Sequence, residues 1–286
     1  MSGMKTPKRL QPLIDDGLID TVVRQLMSGK EAMVFVVRRG EETLCAKIYK
    51  EADKRSFRQA VDYTENRKTK NSRQARAMAK GTRFGREATE RAWQNAEVDA
   101  LYRLAAAGVR VPRPCNFHEG VLLMELVASH DGDAAPRLND MAFAPADARN
   151  LHDGLIREIV RMLCAGVIHG DLSEYNILMG ADGPVIIDLP QAVDAAGNNH
   201  AERMLERDVG NLRTFFGRFA PDLLVSDYGG EIWSLFQAGV LTPGTALTGI
   251  FERPQTAVDL ESVQREIEDI RLEEAARIRR LQEVDL

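Results

Sequence analysis

The chain has 286 residues, of which 44% are hydrophobic and 28% are charged, and its formal net charge is -5. This composition is typical of a soluble globular protein, and the length is sufficient for one large two-lobed domain or two medium ones. The negative net charge argues against a protein that coats nucleic acid over its whole surface.

The cysteines and the apolar segments indicate the compartment. Cys45, Cys115 and Cys164 are far apart and form no CxxC pair, which is typical of a reduced cytosolic protein without a zinc or redox motif. No apolar run approaches the ~18 residues of a membrane span, and no signal-peptide core follows the charged N-terminus. We therefore expect a cytoplasmic protein without a membrane partner.

Short apolar runs separated by turn residues occupy the first part of the chain. A loose lead-in is expected over residues 1–19, and a turn at Arg39-Gly40 separates the second and third runs. Because no helical period fits this region, we predict a three-stranded antiparallel meander. The predicted strands are Val22–Met27, Ala32–Arg38 and Leu44–Tyr49.

The segment that follows the third strand is strongly basic. Residues 66–86 contain eight Lys/Arg and no Asp/Glu, and large apolar side chains are few. This composition indicates a solvated, partly disordered insertion over about residues 50–86. A second interpretation is a surface that meets something anionic, such as RNA, an acidic protein tail or nucleotide phosphates.

Helical periodicity dominates the rest of the chain. A helix is predicted over Arg86–Ala107, after which Pro112 and Pro114 break the chain before a strand over Val121–Val127. The Asp131-Gly-Asp133 cluster is predicted to link two lobes. Further helices are predicted over Asp147–Cys164, His200–Phe219 and Tyr228–Ala238, and an amphipathic helix is predicted over residues 251–286.

The stretch His169-Gly-Asp-Leu-Ser-Glu-Tyr-Asn176 carries the most specific chemical pattern. Asp171 precedes Asn176 by five residues, and Asp188 ends an apolar run twelve residues further on. This order and spacing is the acid/base and metal-ligand pattern of a protein-kinase-like fold. Asp171 is predicted to accept the proton of an attacking hydroxyl. Asn176 and Asp188 are predicted to hold Mg²⁺, while His169 braces the loop.

Three further parts of such a site precede this stretch. The turn Ser28-Gly29-Lys30, with its single glycine, is predicted to contact phosphate, and Lys47 in the third strand is predicted to bind the α- and β-phosphates. Glu97 on the next helix is predicted to hold Lys47 by an ion pair, in preference to Glu87 and Glu90 at the basic start of that helix. Because fifty residues separate Lys47 from Glu97, the basic segment is an insertion into this connection.

Seven short segments match the pattern of one family. They are Ser28-Gly-Lys-Glu-Ala32, Ala46-Lys-Ile-Tyr-Lys50, Val121-Leu-Leu-Met-Glu-Leu-Val127, Asp131-Gly-Asp-Ala-Ala-Pro136, His169-Gly-Asp-Leu-Ser-Glu-Tyr-Asn176, Ile186-Ile-Asp-Leu-Pro-Gln191 and Arg207-Asp208. On these segments the chain resembles the RIO family of atypical serine/threonine protein kinases, over about residues 20–220. The resemblance implies an α+β, bilobal protein-kinase-like fold without an activation loop. A small antiparallel-sheet N-lobe is expected over 20–127 and a mainly helical C-lobe over 128–250.

The resemblance also implies ligands and partners. ATP is the expected substrate, with Mg²⁺ or Mn²⁺ as the metal, and Met124 guards an adenine pocket in which backbone groups of Glu125 and Val127 bind the base. The expected activities are protein-serine phosphorylation, autophosphorylation, and an ATPase cycle in small-subunit ribosome maturation. In some members the metal aspartate, here Asp188, is transiently phosphorylated. The basic insertion is then a flexible loop that can meet RNA or a ribosomal particle, and the protein substrate is unknown.

Two features depart from the family pattern. Met27-Ser28 stands where the family usually has Ser-Thr, which removes one hydroxyl contact to phosphate. The chain also ends in a short amphipathic segment instead of a long charged tail. Both features suggest a compact, bacterial-like member.

Two other functions share parts of this pattern. Small-molecule kinases of the aminoglycoside or choline type also have an Ile-His-Gly-Asp, a following asparagine and an Ile-Ile-Asp, but typically differ at Ser173-Glu-Tyr175 and Leu189-Pro-Gln191. A RIO-type ATPase that acts as an assembly factor would use the same residues. The intact set of Lys47, Asp171, Asn176 and Asp188 argues against a protein that binds ATP without chemistry.

Overall fold

The computed structural model describes residues 6–29, 32–50 and 83–252, with the backbone alone over 83–93. The chain divides into two units, Met1–Ile250 and Phe251–Leu286, and of the second unit only Phe251 and Glu252 are among the described residues. The helix predicted over 251–286, Lys30, and nearly all of the insertion predicted over 50–86 therefore lie outside the described residues.

A five-stranded antiparallel sheet forms the N-lobe. Its strands are β1 (Thr21–Ser28), β2 (Ala32–Arg39), β3 (Glu42–Tyr49), β4 (Pro114–His118) and β5 (Val121–Glu125). The order is β1-β2-β3-β5-β4, so the first three strands form the predicted meander and β5 pairs with β3. In β3, Leu44 and Ile48 are buried on one face of the sheet, and alternation places Lys47 on the other.

The strand β4 begins at Pro114, a residue that from the sequence predicts only a break in the chain. β4 is an edge strand that pairs with β5 on one side. Because proline lacks an N–H group, it is tolerated at the first residue of an edge strand, where no partner needs that donor. Pro114 therefore starts a strand.

The N-terminal segment packs against the sheet, which differs from the loose lead-in expected over residues 1–19. A short 3-10 helix (Lys8–Leu10) leads into α1 (Gln11–Asp15), and Leu10 and Leu13 are buried against the face of the sheet that lies away from Lys47. The Arg9 guanidinium donates hydrogen bonds to two backbone oxygens of the N-lobe. These apolar contacts cover a sheet face that would otherwise be open to water.

The helix after the insertion packs against residues of both lobes. This helix, α2 (Arg83–Ala106), starts three residues before its predicted start, and Gly108, with a φ of 74°, follows its end. Val98, Leu101 and Leu104 are buried in the same core as the C-lobe helices. The same core also contains Tyr49 and Leu122 of the sheet, so this helix packs where the two lobes meet.

Helices dominate the C-lobe, and they match the predicted ones to within two residues at each end. The C-lobe contains α3 (Pro145–Cys164), α4 (Ala201–Gly217), α5 (Tyr228–Gln237), and two strand pairs, β6 (Val167–Ile168) with β9 (Val193–Asp194) and β7 (Ile177–Gly180) with β8 (Gly183–Ile186). The predicted α+β, bilobal kinase-like fold is confirmed. In the part of the chain that the structure describes, no helix is both long and apolar enough to cross a membrane.

The C-lobe core contains a buried histidine, His152 of α3. His152 is 1% exposed, lies against the rings of Phe216 and Tyr228, and has no hydrogen-bond partner for its Nε2 among the described residues. Burial lowers the pKa of His152 to about 4, and the nearby Asp153 and Arg213 have smaller effects of opposite sign.

This histidine predicts a pH dependence of stability. Between pH 6.5 and about 4 the unfolded side chain binds a proton and the folded one does not, so stability falls as the pH falls through this window. From about pH 7 to about pH 5, we expect the free energy of unfolding to decrease by about 2 kcal/mol less in His152→Phe than in the wild type. Urea unfolding at both pH values measures this, with His130→Phe, an exposed histidine, as control. Equal acid sensitivity of His152→Phe and wild type would contradict the assignment.

Candidate active site

Lys47 stands at the centre of the cleft between the lobes. In the β-sheet register it lies between Val34 of β2 and Leu122 of β5. Its Nζ is 2.6 Å from Glu97 Oε1 on α2 and 3.0 Å from Asp188 Oδ1 in the C-lobe. The structure thus brings together three predicted residues that are separated by 50 and 141 positions along the chain.

The charges of this cluster stabilise one another. Burial opposes the charge on Lys47, but the carboxylates of Glu97 and Asp188 outweigh it and hold the pKa of Lys47 well above its ordinary value. Surrounding protein atoms displace water from Asp188 and would raise its pKa, but the Lys47 ammonium outweighs this effect and the pKa lies below the ordinary value. Lys47 is therefore cationic and Asp188 anionic throughout the neutral pH range.

The backbone of Asp188 is strained in a way that aims its carboxylate. Its φ is 66°, in the left-handed region that residues other than glycine rarely adopt. The preceding Ile187 fixes this turn, because its N–H donates to the Asn176 backbone carbonyl at 2.9 Å and its own carbonyl lies 3.0 Å from His169 Nε2. The Asp188 side chain remains 48% exposed toward the cleft, where a ligand can reach it.

The loop that contains Asp171 and Asn176 is held by its own side chains. Asn176 Nδ2 donates to the Asp171 carbonyl at 2.8 Å, and the Asp171 N–H donates to His169 Nδ1 at 3.3 Å. His169 thus contacts Asp171 through one ring nitrogen and the Asp188 turn through the other. This is the bracing arrangement expected for His169, and it links the loop to the turn.

Asp208 on α4 is a site residue to which the sequence analysis gave no role. It is 2% exposed, and its carboxylate accepts from the N–H groups of Gly170 and Leu172, each at 2.8 Å. Burial raises the pKa of Asp208 to about 6, although these bonds favour its charged form. Because the two N–H groups flank Asp171, this buried carboxylate fixes the backbone on both sides of it. The sequence contains a sign of this role, because Asp208 is a charged residue among the apolar positions that α4 buries.

The turn between β1 and β2 carries a second cation that was not predicted. Lys50 Nζ donates to the Gly29 carbonyl at 2.5 Å and to Ser28 Oγ at 3.2 Å, and the Gly29 N–H donates to the Ala32 carbonyl at 2.9 Å. A Cβ added at Gly29 would meet Ala32 O at 3.6 Å, an ordinary contact, so the fold of the turn does not itself require glycine.

The segment between the lobes contains Met124, Glu125 and Val127. Met124 lies opposite Cys45 of β3 in the register. The Glu125 carboxylate accepts from the Arg110 guanidinium at 2.9 and 3.1 Å, and the Glu125 N–H donates to the Arg113 carbonyl at 2.9 Å. The Val127 carbonyl accepts from the Ala135 N–H at 2.9 Å. These bonds fix the backbone of the segment and use the Glu125 side chain in the fold.

A family model described as the RIO domain matches residues 33–228, which is more than half of the chain. The chain belongs to the RIO family of protein kinases. The match includes β2 and β3 with Lys47, α2 with Glu97, and both aspartate loops. The resemblance inferred from the seven short segments is thereby confirmed.

Curated relatives of this RIO kinase span archaea and eukaryotes. This chain is 38% identical over 213 residues to the RIO-type serine/threonine-protein kinase Rio1 of Haloferax volcanii. The match covers 73% of this chain and 68% of the relative. It is 31% identical over 223 residues to the serine/threonine-protein kinase rio1 of Schizosaccharomyces pombe, covering 75% of this chain but 42% of the relative. The chain thus spans less than half the length of the yeast protein that it matches.

One solved structure supports the fold. The Rio2 kinase–ADP/Mg²⁺–phosphoaspartate complex from Chaetomium thermophilum superposes with a TM-score of 0.52 at 24% sequence identity. The match covers 76% of this chain and 65% of the Rio2 chain. At this identity the likeness establishes the shared kinase-like fold and nothing further about activity.

Proposed function

We propose that this protein is an ATP-dependent serine/threonine protein kinase that transfers the γ-phosphate of ATP to a protein hydroxyl, including its own. The convergence of Lys47 on both Glu97 and Asp188 carries the proposal, because this ion-paired lysine is what phosphoryl transfer needs to position a triphosphate. The names of the curated relatives as serine/threonine-protein kinases support the same activity.

ATP binding is assigned to both faces of the cleft. Lys47 contacts the α- and β-phosphates while Glu97 holds its ammonium in place. Above them, the turn that begins with Ser28 and Gly29 covers the phosphates, while Lys30, predicted to take part in it, lies outside the described residues. Adenine lies beside Met124. The Glu125 carbonyl and the Val127 N–H bind the base, since hydrogen bonds within the fold engage the Glu125 N–H and the Val127 carbonyl.

The donor set of the metal loop fits a magnesium ion. Asn176 and Asp188 offer amide and carboxylate oxygens, the ligand type that Mg²⁺ and Mn²⁺ prefer. Asn176 Nδ2 is bonded to the Asp171 carbonyl, which leaves its amide oxygen as the donor to a metal, and Asp188 Oδ1 is bonded to Lys47, which leaves its second oxygen. A divalent ion held by these two oxygens would neutralise part of the phosphate charge.

Asp171 is proposed as the base. The substrate hydroxyl oxygen forms the new bond to the γ-phosphorus, the bond from that phosphorus to the bridging oxygen of ADP breaks, and the hydroxyl proton passes to the Asp171 carboxylate. The bonds from Asp208 to the N–H groups of Gly170 and Leu172 hold this loop rigid, so that Asp171 is in place before the reaction. His169 and Asn176 hold the same loop from the other side.

Incubation of the purified protein with ATP labelled at the γ-phosphate tests this function. We expect acid-stable label on serine of the protein itself or of an added protein acceptor. Aminoglycosides and choline serve as alternative acceptors in parallel reactions. Label that appears in the small molecules and never in protein would contradict the proposal and favour a small-molecule kinase.

The second candidate function is an ATPase that proceeds through Asp188. The Asp188 carboxylate oxygen would bond to the γ-phosphorus as ADP leaves, and water would then hydrolyse the acyl-phosphate to restore the carboxylate and release phosphate. The 48% exposure of the Asp188 side chain favours it, because a phosphoryl group can reach that carboxylate. Acid-labile, hydroxylamine-sensitive label would identify this route, whereas a protein kinase leaves acid-stable phosphoserine. The partner predicted for residues 50–86, RNA or a ribosomal particle, remains part of this proposal.

A further inference from the structure

Arg137 is anchored beside the catalytic loop. Its backbone forms an isolated bridge with Leu178, and the carbonyl of the preceding Pro136 accepts from the Met179 N–H at 2.8 Å. Leu178 lies two positions after Asn176 in β7, so the Cα of Arg137 is fixed to the C-lobe wall next to the proposed metal ligand.

The side chain of Arg137 crosses from this wall to the opposite lobe. Its guanidinium donates to Met27 Sδ at 3.5 Å, at the end of β1 and directly before the Ser28–Gly29 turn. A guanidinium has five donors in a fixed fork, whereas a thioether sulfur is a weak acceptor. The contact with Met27 therefore uses little of the hydrogen-bonding capacity that Arg137 brings into the cleft.

The charge of Arg137 acts on the centre of the site. The pKa of Asp188 lies below its ordinary value, because the opposing effect of desolvation is outweighed by Lys47, with smaller contributions from His169 and Arg137. Arg137 is thus close enough to Asp188 for its charge to matter. At its other end it contacts Met27, directly before the Ser28–Gly29 turn that Lys50 holds. Cations of the two lobes border the space where the phosphates of the proposed substrate would lie.

We propose that Arg137 binds a phosphate oxygen of the nucleotide. The bound phosphate would then link the C-lobe, where Arg137 is anchored, to the Ser28–Gly29 turn of the N-lobe. This inference rests on the proposed use of ATP and adds a cation from outside the predicted set of site residues. Guanidinium–phosphate bonds are charge-assisted and stronger than a bond to a thioether, so a bound phosphate would displace the Met27 contact. Arg137 is then a binding residue for the phosphates and not a base or a metal ligand.

Calorimetric titration of Arg137→Gln with Mg²⁺ and ATP, ADP or adenosine tests the proposal. We expect affinity for ATP and ADP to fall by about tenfold, and affinity for adenosine to change by less than about twofold. Arg137→Lys keeps the charge without the fork and is expected to lose less. Arg157→Gln, on the exposed side of α3, is the matched control and should bind all three like the wild type.

A further variant separates binding from structural support. Met27→Leu keeps the volume but removes the sulfur acceptor, and it is expected to bind ATP with unchanged affinity. If Arg137→Gln bound ATP as tightly as the wild type, or lost adenosine and ATP equally, phosphate binding by Arg137 would be overturned while the kinase function stood. A wild-type protein that binds no ATP with Mg²⁺ would instead overturn the proposed function and this inference together.

Discussion

Asp171→Ala is expected to lower the rate of phosphoryl transfer by about 10³-fold at saturating ATP, while ATP affinity changes by less than about twofold. The reason is that the base acts on the hydroxyl proton of the acceptor, whereas Lys47, the Ser28–Gly29 turn and the segment between the lobes bind the nucleotide. Single-turnover transfer of labelled phosphate measures the rate, and calorimetric titration measures ATP affinity in the same preparation.

The matched control for this variant is Asp182→Ala. Asp182 is an exposed aspartate of the same lobe, in the turn between β7 and β8, and its removal is expected to leave both rate and affinity unchanged. Urea unfolding of both variants checks that the fold is retained. A phosphorylation rate in Asp171→Ala equal to that of the wild type would exclude Asp171 as the base.

Asp188→Ala is expected to weaken Mg²⁺-dependent ATP binding by about 10- to 100-fold. Asp188 is anionic across the neutral range, because Lys47 holds its pKa below the ordinary value against the effect of burial. The variant therefore removes a full negative charge from the proposed metal site, while Glu97 still holds Lys47 at 2.6 Å. Titration with ATP in Mg²⁺ and in EDTA separates metal-dependent from metal-independent affinity.

The difference between the two titrations decides the role of Asp188. For the wild type we expect Mg²⁺ to increase ATP affinity, and for Asp188→Ala we expect little increase. Should the variant respond to Mg²⁺ as the wild type does, Asp188 is not a metal ligand. Adenosine affinity, which needs neither metal nor phosphate contacts, is the internal control.

The sequence predicts the local parts of this molecule well, because they follow from short-range spacing. Three such features can be recognised from the sequence alone. They are the five-residue interval from Asp171 to Asn176, the alternation around Lys47 and the helical periodicity of the C-lobe. The pairing of Lys47 with Glu97 could be inferred because a helix after that strand needs an acid to hold the lysine, and the structure brings the two together.

The contacts that escape prediction join distant segments or depend on backbone geometry. Arg137 meets Met27 across 110 positions, and nothing in either local sequence marks that meeting. The left-handed backbone of Asp188 is set by contacts from Asn176 and His169. Pro114 looked like a break because the edge position that tolerates it is a property of the assembled sheet.

The packing of Leu10 and Leu13 beneath the N-lobe sheet has a practical consequence for protein production. The family match starts at residue 33. A protein truncated to that boundary would lack β1 and the buried side chains of Leu10 and Leu13. The remaining sheet would expose an apolar face to solvent and leave β2 as an unpaired edge strand. Both features promote self-association. Shortened versions meant for crystallisation or binding studies should keep everything from Lys8 onward.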